Sequence, residues 1–306
     1  MLRKIKENVD FSFVNKLVEN EYSKTFGEDA AWKIYIIGNI AECAKIESTK
    51  AKSIALQGKT GTNTDSLDGE KNGTTLSIKT AVPIKITKLK ITNGKASGNG
   101  GGISVVSGNL TLASGVLLCG NESAQNGGGV WNSASTLTID GAVISGNTAN
   151  QHGGGIYNCS DATLVFTSGA ITRNEATKYG GGVYNAREFL MSGGTIRENK
   201  ASEGAGVNTA GDANGTFSMS GGSISNNTAT EKGGGIYSAG TLNITVSTIS
   251  GNKAKNGAGI YIAGGNTTFK AGDENDAAKY VKIQNNTATK NGGGIFVSEL
   301  VSPDGC

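Results

Sequence analysis

The chain has 306 residues, 48 of them glycine, and 28 basic against 25 acidic side chains leave a net charge of +3. Charges of both signs are interspersed, which excludes the concentrated basic footprint of a nucleic-acid-binding protein. The lack of any eighteen-residue apolar stretch excludes a membrane-spanning helix. Glycine at about twice its usual share marks a disordered chain unless it recurs with a period.

In chain order, residues 1–30 carry Leu2, Ile5, Val9, Phe13 and Leu17 at helical spacing. This predicts a short amphipathic helix that caps the open end of a solenoid. Charged residues from Arg3 to Glu7 interrupt any secretory apolar core, so no export signal is expected in this segment. Glu42, ahead of Cys43, rules out a lipoprotein cleavage box.

Residues 31–92 read as irregular lead-in coils, with strands expected at 32–37, 53–56, 75–79 and 84–91. Between them, Gly58, Lys59 and Thr60 look like the tail of a phosphate-binding loop. The first glycine of that pattern is replaced by Ser53 and no helix pattern follows, so nucleotide binding is not expected. Asn63, Thr64 and Asp65 match one carboxylate motif of polygalacturonase-type glycosidases. The paired carboxylates that such chemistry needs are missing from the later coils.

Residues 93–306 hold the regular repeat, which is expected to continue beyond the C-terminus. A glycine-rich triplet followed by a β-branched residue begins at Gly100, Gly127, Gly153, Gly180, Gly204, Gly233, Gly257 and Gly292. Ahead of most triplets stands an Ile-x-x-Asn-x-Ala motif, as in Ile144, Asn147 and Ala149. Self-similarity at this period means a stacked solenoid. Short runs of alternating apolar and polar residues give three strands per coil, and the glycine triplets oppose a helical repeat. The expected fold is an all-β, single-stranded, right-handed parallel β-helix with coils about 4.8 Å apart.

Three inward rows follow from the alignment. One runs Ile103, Val130, Ile156, Val183, Val207, Ile236, Ile260 and Ile295; a second runs Ile91, Leu118, Ile144, Ile171, Ile196, Ile224, Ile249 and Ile283. The third runs Leu110, Leu137, Leu164, Phe189, Phe217, Leu242 and Phe269. Asn121, Asn147, Asn174, Asn199, Asn227, Asn252 and Asn286 recur three residues after the second row. Such a row forms a structural carboxamide ladder at a turn, where asparagine also tolerates left-handed backbone.

Trp131, Tyr157, Tyr184, Tyr237, Tyr261 and Phe296 each follow a residue of the first inward row. Strand alternation turns them outward, where stacked rings either bind a sugar or protein partner or stiffen the sheet. These six are the candidate binding residues. His152 stands alone beside a triplet, and Arg173 and Arg197 are expected at the same repeat position on successive coils, near Lys178 and Lys200, where a solvated edge accounts for them. No catalytic cluster, metal-ligand spacing or cofactor motif emerges. Asp273 to Asp276 reads as an acidic surface loop, and Cys43, Cys119, Cys159 and Cys306 lack metal or redox spacing and read as free thiols.

Ile-x-x-Asn followed by Gly-Gly-Gly-Ile is similar to the repeats of polymorphic outer membrane proteins. It departs from them in using isoleucine for phenylalanine and often glycine for alanine, although Ala205 and Ala258 keep the alanine. More broadly the chain looks like the bacterial surface β-helices of the pectate-lyase-like superfamily. The resemblance implies a non-enzymatic surface-exposed or secreted protein, an adhesin or passenger stalk that meets host proteins or glycans at the cell surface, the outer membrane or outside the cell. The superfamily also holds polysaccharide lyases and glycoside hydrolases, so a carbohydrate-active enzyme is the competing expectation.

Overall fold

A computed structural model describes residues 31–47, 51–61, 64–211, 215–270 and 280–298. The expected cap at 1–30, the acidic loop at 273–276 and Cys306 lie outside them. The described chain is a parallel β-solenoid. All the paired strands run parallel, and each coil hydrogen-bonds to the next in register. A 27-stranded sheet wraps two faces and an 8-stranded sheet closes the third.

One coil shows how the sequence makes the turns. Val183–Asn185 forms the first face, Glu188–Met191 and Thr195–Arg197 form the second on either side of a bend, and Lys200–Glu203 forms the third. Val183 points inward, Tyr184 outward and Asn185 inward again, the period-two alternation of a strand with one buried side. Pairing carries Ile103 onto Val130, Ile156, Val183, Val207, Ile236, Ile260 and Ile295 in one row. The lead-in coils join the same ladders, since Ala44 pairs with Leu76 and Leu76 with Ile103. The expected strand at 84–91 is two, Ile84–Thr87 and Lys90–Thr92, parted where Lys88 adopts a φ of 49°.

The third inward row differs at its end. Thr267, not Phe269, lies opposite Leu242, while Phe269 follows Ile244 and is 41% exposed. The second face also carries a further inward row, Leu112, Ile139, Phe166, Met191, Met219 and Ile244, all at most 1% exposed. Two large apolar side chains per coil therefore fill this face, with Phe189 and Phe217 stacked at 4.6 Å between centroids. Opposite them the third face is lined by Ala149, Ala176, Ala201, Ala229 and Ala254, all buried, with Ser123 ahead of Ala149 in the same row, because the narrow corner admits only small side chains.

The glycine triplets divide by position. The first glycine has a positive φ in every regular coil, for example +67° at Gly180 and +63° at Gly233. The third faces the next coil so closely that a Cβ on Gly235 would lie 2.5 Å from the Gly259 carbonyl and 3.0 Å from Asn252 Nδ2. The middle slot is filled by Ala205 and Ala258, both fully buried, on either side of Gly234. A Cβ on Gly234 would also lie close, 2.4 Å from the Lys253 carbonyl, but the slot takes alanine in the coils on both sides, so Gly234→Ala is expected to cost less than Gly235→Ala, which overpacks by about 1–3 kcal/mol. Paired denaturant melts of the two variants check this difference.

Candidate functional site

The polar interior decides which polar groups remain for recognition. Asn121, Asn147, Asn174, Asn199, Asn227 and Asn252 are 0% exposed and Asn286 is half-buried. Each passes hydrogen bonds along the axis. The Asn199 carboxamide oxygen accepts from the Asn174 amide at 2.9 Å and from Asn174 Nδ2 at 3.1 Å. Its own Nδ2 donates to the Ile171 carbonyl and to Asn227 Oδ1, both at 3.0 Å. With these bonds made, the carboxamides are consumed by the scaffold.

The left-handed backbone expected at these asparagines sits one residue earlier, at Gly120, Gly146, Arg173, Glu198, Asn226, Gly251 and Asn285, with φ between 55° and 66°. Arg173 is thus the counterpart of Glu198, and Arg197 pairs with Thr172 instead. Both guanidiniums grip Glu198, Arg173 at 2.7 Å, which makes them an ion-paired edge. Glu198 is held below the usual carboxylate range, first by its hydrogen bond from Arg173.

A second buried ladder escaped the sequence reading. Asn132, Asn158 and Asn185 are 0% exposed, and Nδ2 of each of the first two donates to Oδ1 of the next at 2.8 and 2.9 Å. Thr209 ends this row with a buried hydroxyl that has no partner.

The loop at Gly58–Gly61 is closed by its own chain. Asp65, fully buried, accepts from the amides of Gly38 at 2.9 Å, Thr60 at 2.5 Å and Gly61 at 2.8 Å, and from the Thr60 hydroxyl at 2.8 Å. Burial is the largest single influence and pushes its pKa up, but these donors together hold the carboxyl below its usual range. The amides that would cradle a phosphate are occupied by a carboxylate.

The aromatic row lies on the outer side of the first face. Pairing sets Ser104, Trp131, Tyr157, Tyr184, Asn208, Tyr237, Tyr261 and Phe296 side by side. Tyr261 is 8% exposed and the other rings are half-buried. They form two stacks parted by Asn208. Tyr157 and Tyr184 are 4.8 Å apart at 8°, and Tyr237 and Tyr261 are 5.4 Å apart at 4°, with Phe296 5.1 Å beyond. Stacking along the axis spends the ring faces on neighbouring coils, so the rings turn their edges outward.

A second outer row runs beside the first and was not read from the sequence. It is formed by the residue just before each triplet: Asn126, His152, Tyr179, Glu203, Lys232 and Asn256. His152 stacks on Tyr179 at 4.8 Å and lies 5.1 Å from Tyr184. Lys232 bridges Glu203 at 3.0 Å and sits 5.4 Å over the Tyr261 ring. The two rows make one strip of rings, amides and a fixed ion pair. The fixed distance from the triplet could have revealed the second row, but its mixed residue types hid it.

Burial, helped by Lys178, lowers the His152 pKa to about 4. An imidazole so depressed is neutral in the folded protein while the unfolded chain takes a proton near pH 6.5. Stability is therefore expected to fall as pH drops from about 6.5 towards 4. His152→Asn, which repeats Asn126 in this row, should flatten that part of a melting-temperature profile against pH.

Among the described residues, no group of three or more His, Cys, Asp or Glu is placed to hold a metal. No helix among them is long and apolar enough to cross a membrane. Cys43, Cys119 and Cys159 are free, and burial pushes the Cys159 thiol up to about 12.

In-register parallel coils, buried amide ladders and a recurring outer strip define a β-solenoid repeat protein. Residues 221–239 and 280–298 match the Chlamydia polymorphic membrane protein repeat, and both segments contain the Ile-x-x-Asn motif and the triplet of one coil. The chain is thus a parallel β-helix with repeats of the polymorphic membrane protein type, an architecture that fits a surface repeat protein. No curated protein and no solved structure matches it.

Proposed function

We propose that this protein is a non-enzymatic β-helix of the cell surface, the outer membrane or the extracellular space, an adhesin or passenger stalk that holds a host-surface protein or glycan against its outer strip. The observation that carries this reading is the strip itself: Trp131, Tyr157, Tyr184, Tyr237, Tyr261 and Phe296 in register on one outer face. Rings with apolar edges and polar tips, next to amides and an ion pair, suit a partner that is part apolar and part hydroxylated. The polymorphic membrane protein repeat supports a surface location. The inner ladders supply rigidity, which lowers the cost of ordering a binding surface.

The test places the purified chain on immobilised glycans and host-cell surfaces, and separately incubates it with acidic and neutral polysaccharides, with and without calcium. Retention without product is the expected result. Reproducible release of oligosaccharides would replace this reading with a carbohydrate-active enzyme.

A further inference from the structure

The charge of this chain is polarised along the solenoid. Residues 31–92 contain ten lysines, no arginine and five carboxylates, a surplus of five positive charges in a chain whose total is +3. The lead-in coils are therefore basic and the remainder is net acidic.

On the second face the cations collect without counterions among the described residues. Lys33 pairs across Ala55 to Lys85, so the two project from the same outer row two coils apart, about 9.6 Å. Lys59 and Lys33 hold their ammonium groups 4.9 and 5.0 Å from the Tyr35 ring, and Lys88 is exposed at the bend, with Lys90 half-buried just past it. The carboxylates nearby are already committed: Asp65 is buried on loop amides, and Asp68 accepts from Asn93 Nδ2 at 3.0 and 3.1 Å. None of the ion pairs among the described residues involves these five lysines. The same field holds the Tyr35 phenol below its ordinary value, chiefly through its hydrogen bond with Lys33.

We propose that this basic face of the lead-in coils, centred on Lys33, Tyr35, Lys59 and Lys85, binds an acidic polysaccharide bearing sulfate or carboxylate groups. Uncompensated cations gathered round one ring gain most from an anion that lies across them. Their repeat along the axis suits a polymer with charged groups at intervals of about two linked sugars, and the flat parallel sheet offers an extended track. Lysine contacts a sulfate or carboxylate as a point charge, so binding here reads charge density and falls with salt. The site is separate from the aromatic strip.

The experiment measures retention of the full chain on immobilised heparin across a salt gradient, against neutral dextran and a DNA duplex. A triple variant, Lys33→Ser with Lys59→Ser and Lys85→Ser, is compared with Lys200→Ser, Lys253→Ser and Lys282→Ser, which removes the same charge from the regular coils. The first is expected to lose about tenfold or more in heparin affinity and the second less than about threefold. Attachment of both lysine triples to neutral glycans, the property assigned to the aromatic strip, is expected to stay at the parent level, so failure here is distinct from failure of the strip. Equal losses in the two lysine triples, no loss in the first, or equal affinity for the duplex would overturn the proposal. Unchanged melting of both triples excludes unfolding as the cause of a loss.

Discussion

Phe217→Ala is expected to destabilise the solenoid by about 3–5 kcal/mol, the largest effect of any single substitution considered. Phe217 is 0% exposed and stands between Phe189 and Leu242 on the second face, its ring stacked on Phe189. The coils above and below are fixed by backbone pairing and cannot close over the gap, so the cavity persists. Because each coil contacts mainly its neighbours, the loss should concentrate around residues 189–242. Hydrogen exchange resolved by segment will show this as early opening there. Uniform loss of protection along the chain would instead mean one global cooperative unit.

Asn199→Ala should cost about 3 kcal/mol, since several groups are stranded together at about 1–3 kcal/mol each. The Asn174 amide and side chain lose their acceptor, and the Ile171 carbonyl loses its donor. The site is 0% exposed, so bulk solvent does not replace these partners. Asn199→Asp is informative beside it, because the carboxylate can still accept from Asn174 but cannot donate to Ile171 or Asn227. Denaturant melts that leave Asn199→Ala equal to the parent would mean that the ladder is not a buried hydrogen-bonded row.

The sequence displayed the parts of the fold that repeat without change. The glycine triplet fixes a frame, so Val183 and Ile196 fell in their rows by counting alone. Phe269 was misplaced because the last coil is spaced differently and Thr267 takes the slot opposite Leu242. The row from Leu112 to Ile244 was overlooked because only one apolar site was counted on a strand that buries two. Asn132, Asn158 and Asn185 form a ladder over three coils only, too short to stand out beside the seven-membered one. Left-handed backbone was assigned to the asparagines by residue preference, whereas the turn places it at Arg173 and Glu198.

The candidate site was half legible. The ring row followed from alternation, but stacking of ring on ring depends on the coil spacing, and the His152 to Lys232 row follows from the folding of the corner. The basic lead-in coils were concealed by a net charge that averages the two ends.

The claim at the centre of this account is that the inner ladders hold the fold and the outer strip holds the partner. The measurement that tests it most directly replaces Trp131, Tyr157 and Tyr184 together by serine and records thermal melting and attachment to neutral glycans on the same preparation. The account predicts that attachment is lost while the variant still folds, its stability lowered by the apolar area of three half-buried rings together with the Tyr157–Tyr184 and His152–Tyr184 contacts. Attachment equal to that of the parent, or a collapse of stability that takes attachment with it, would contradict it.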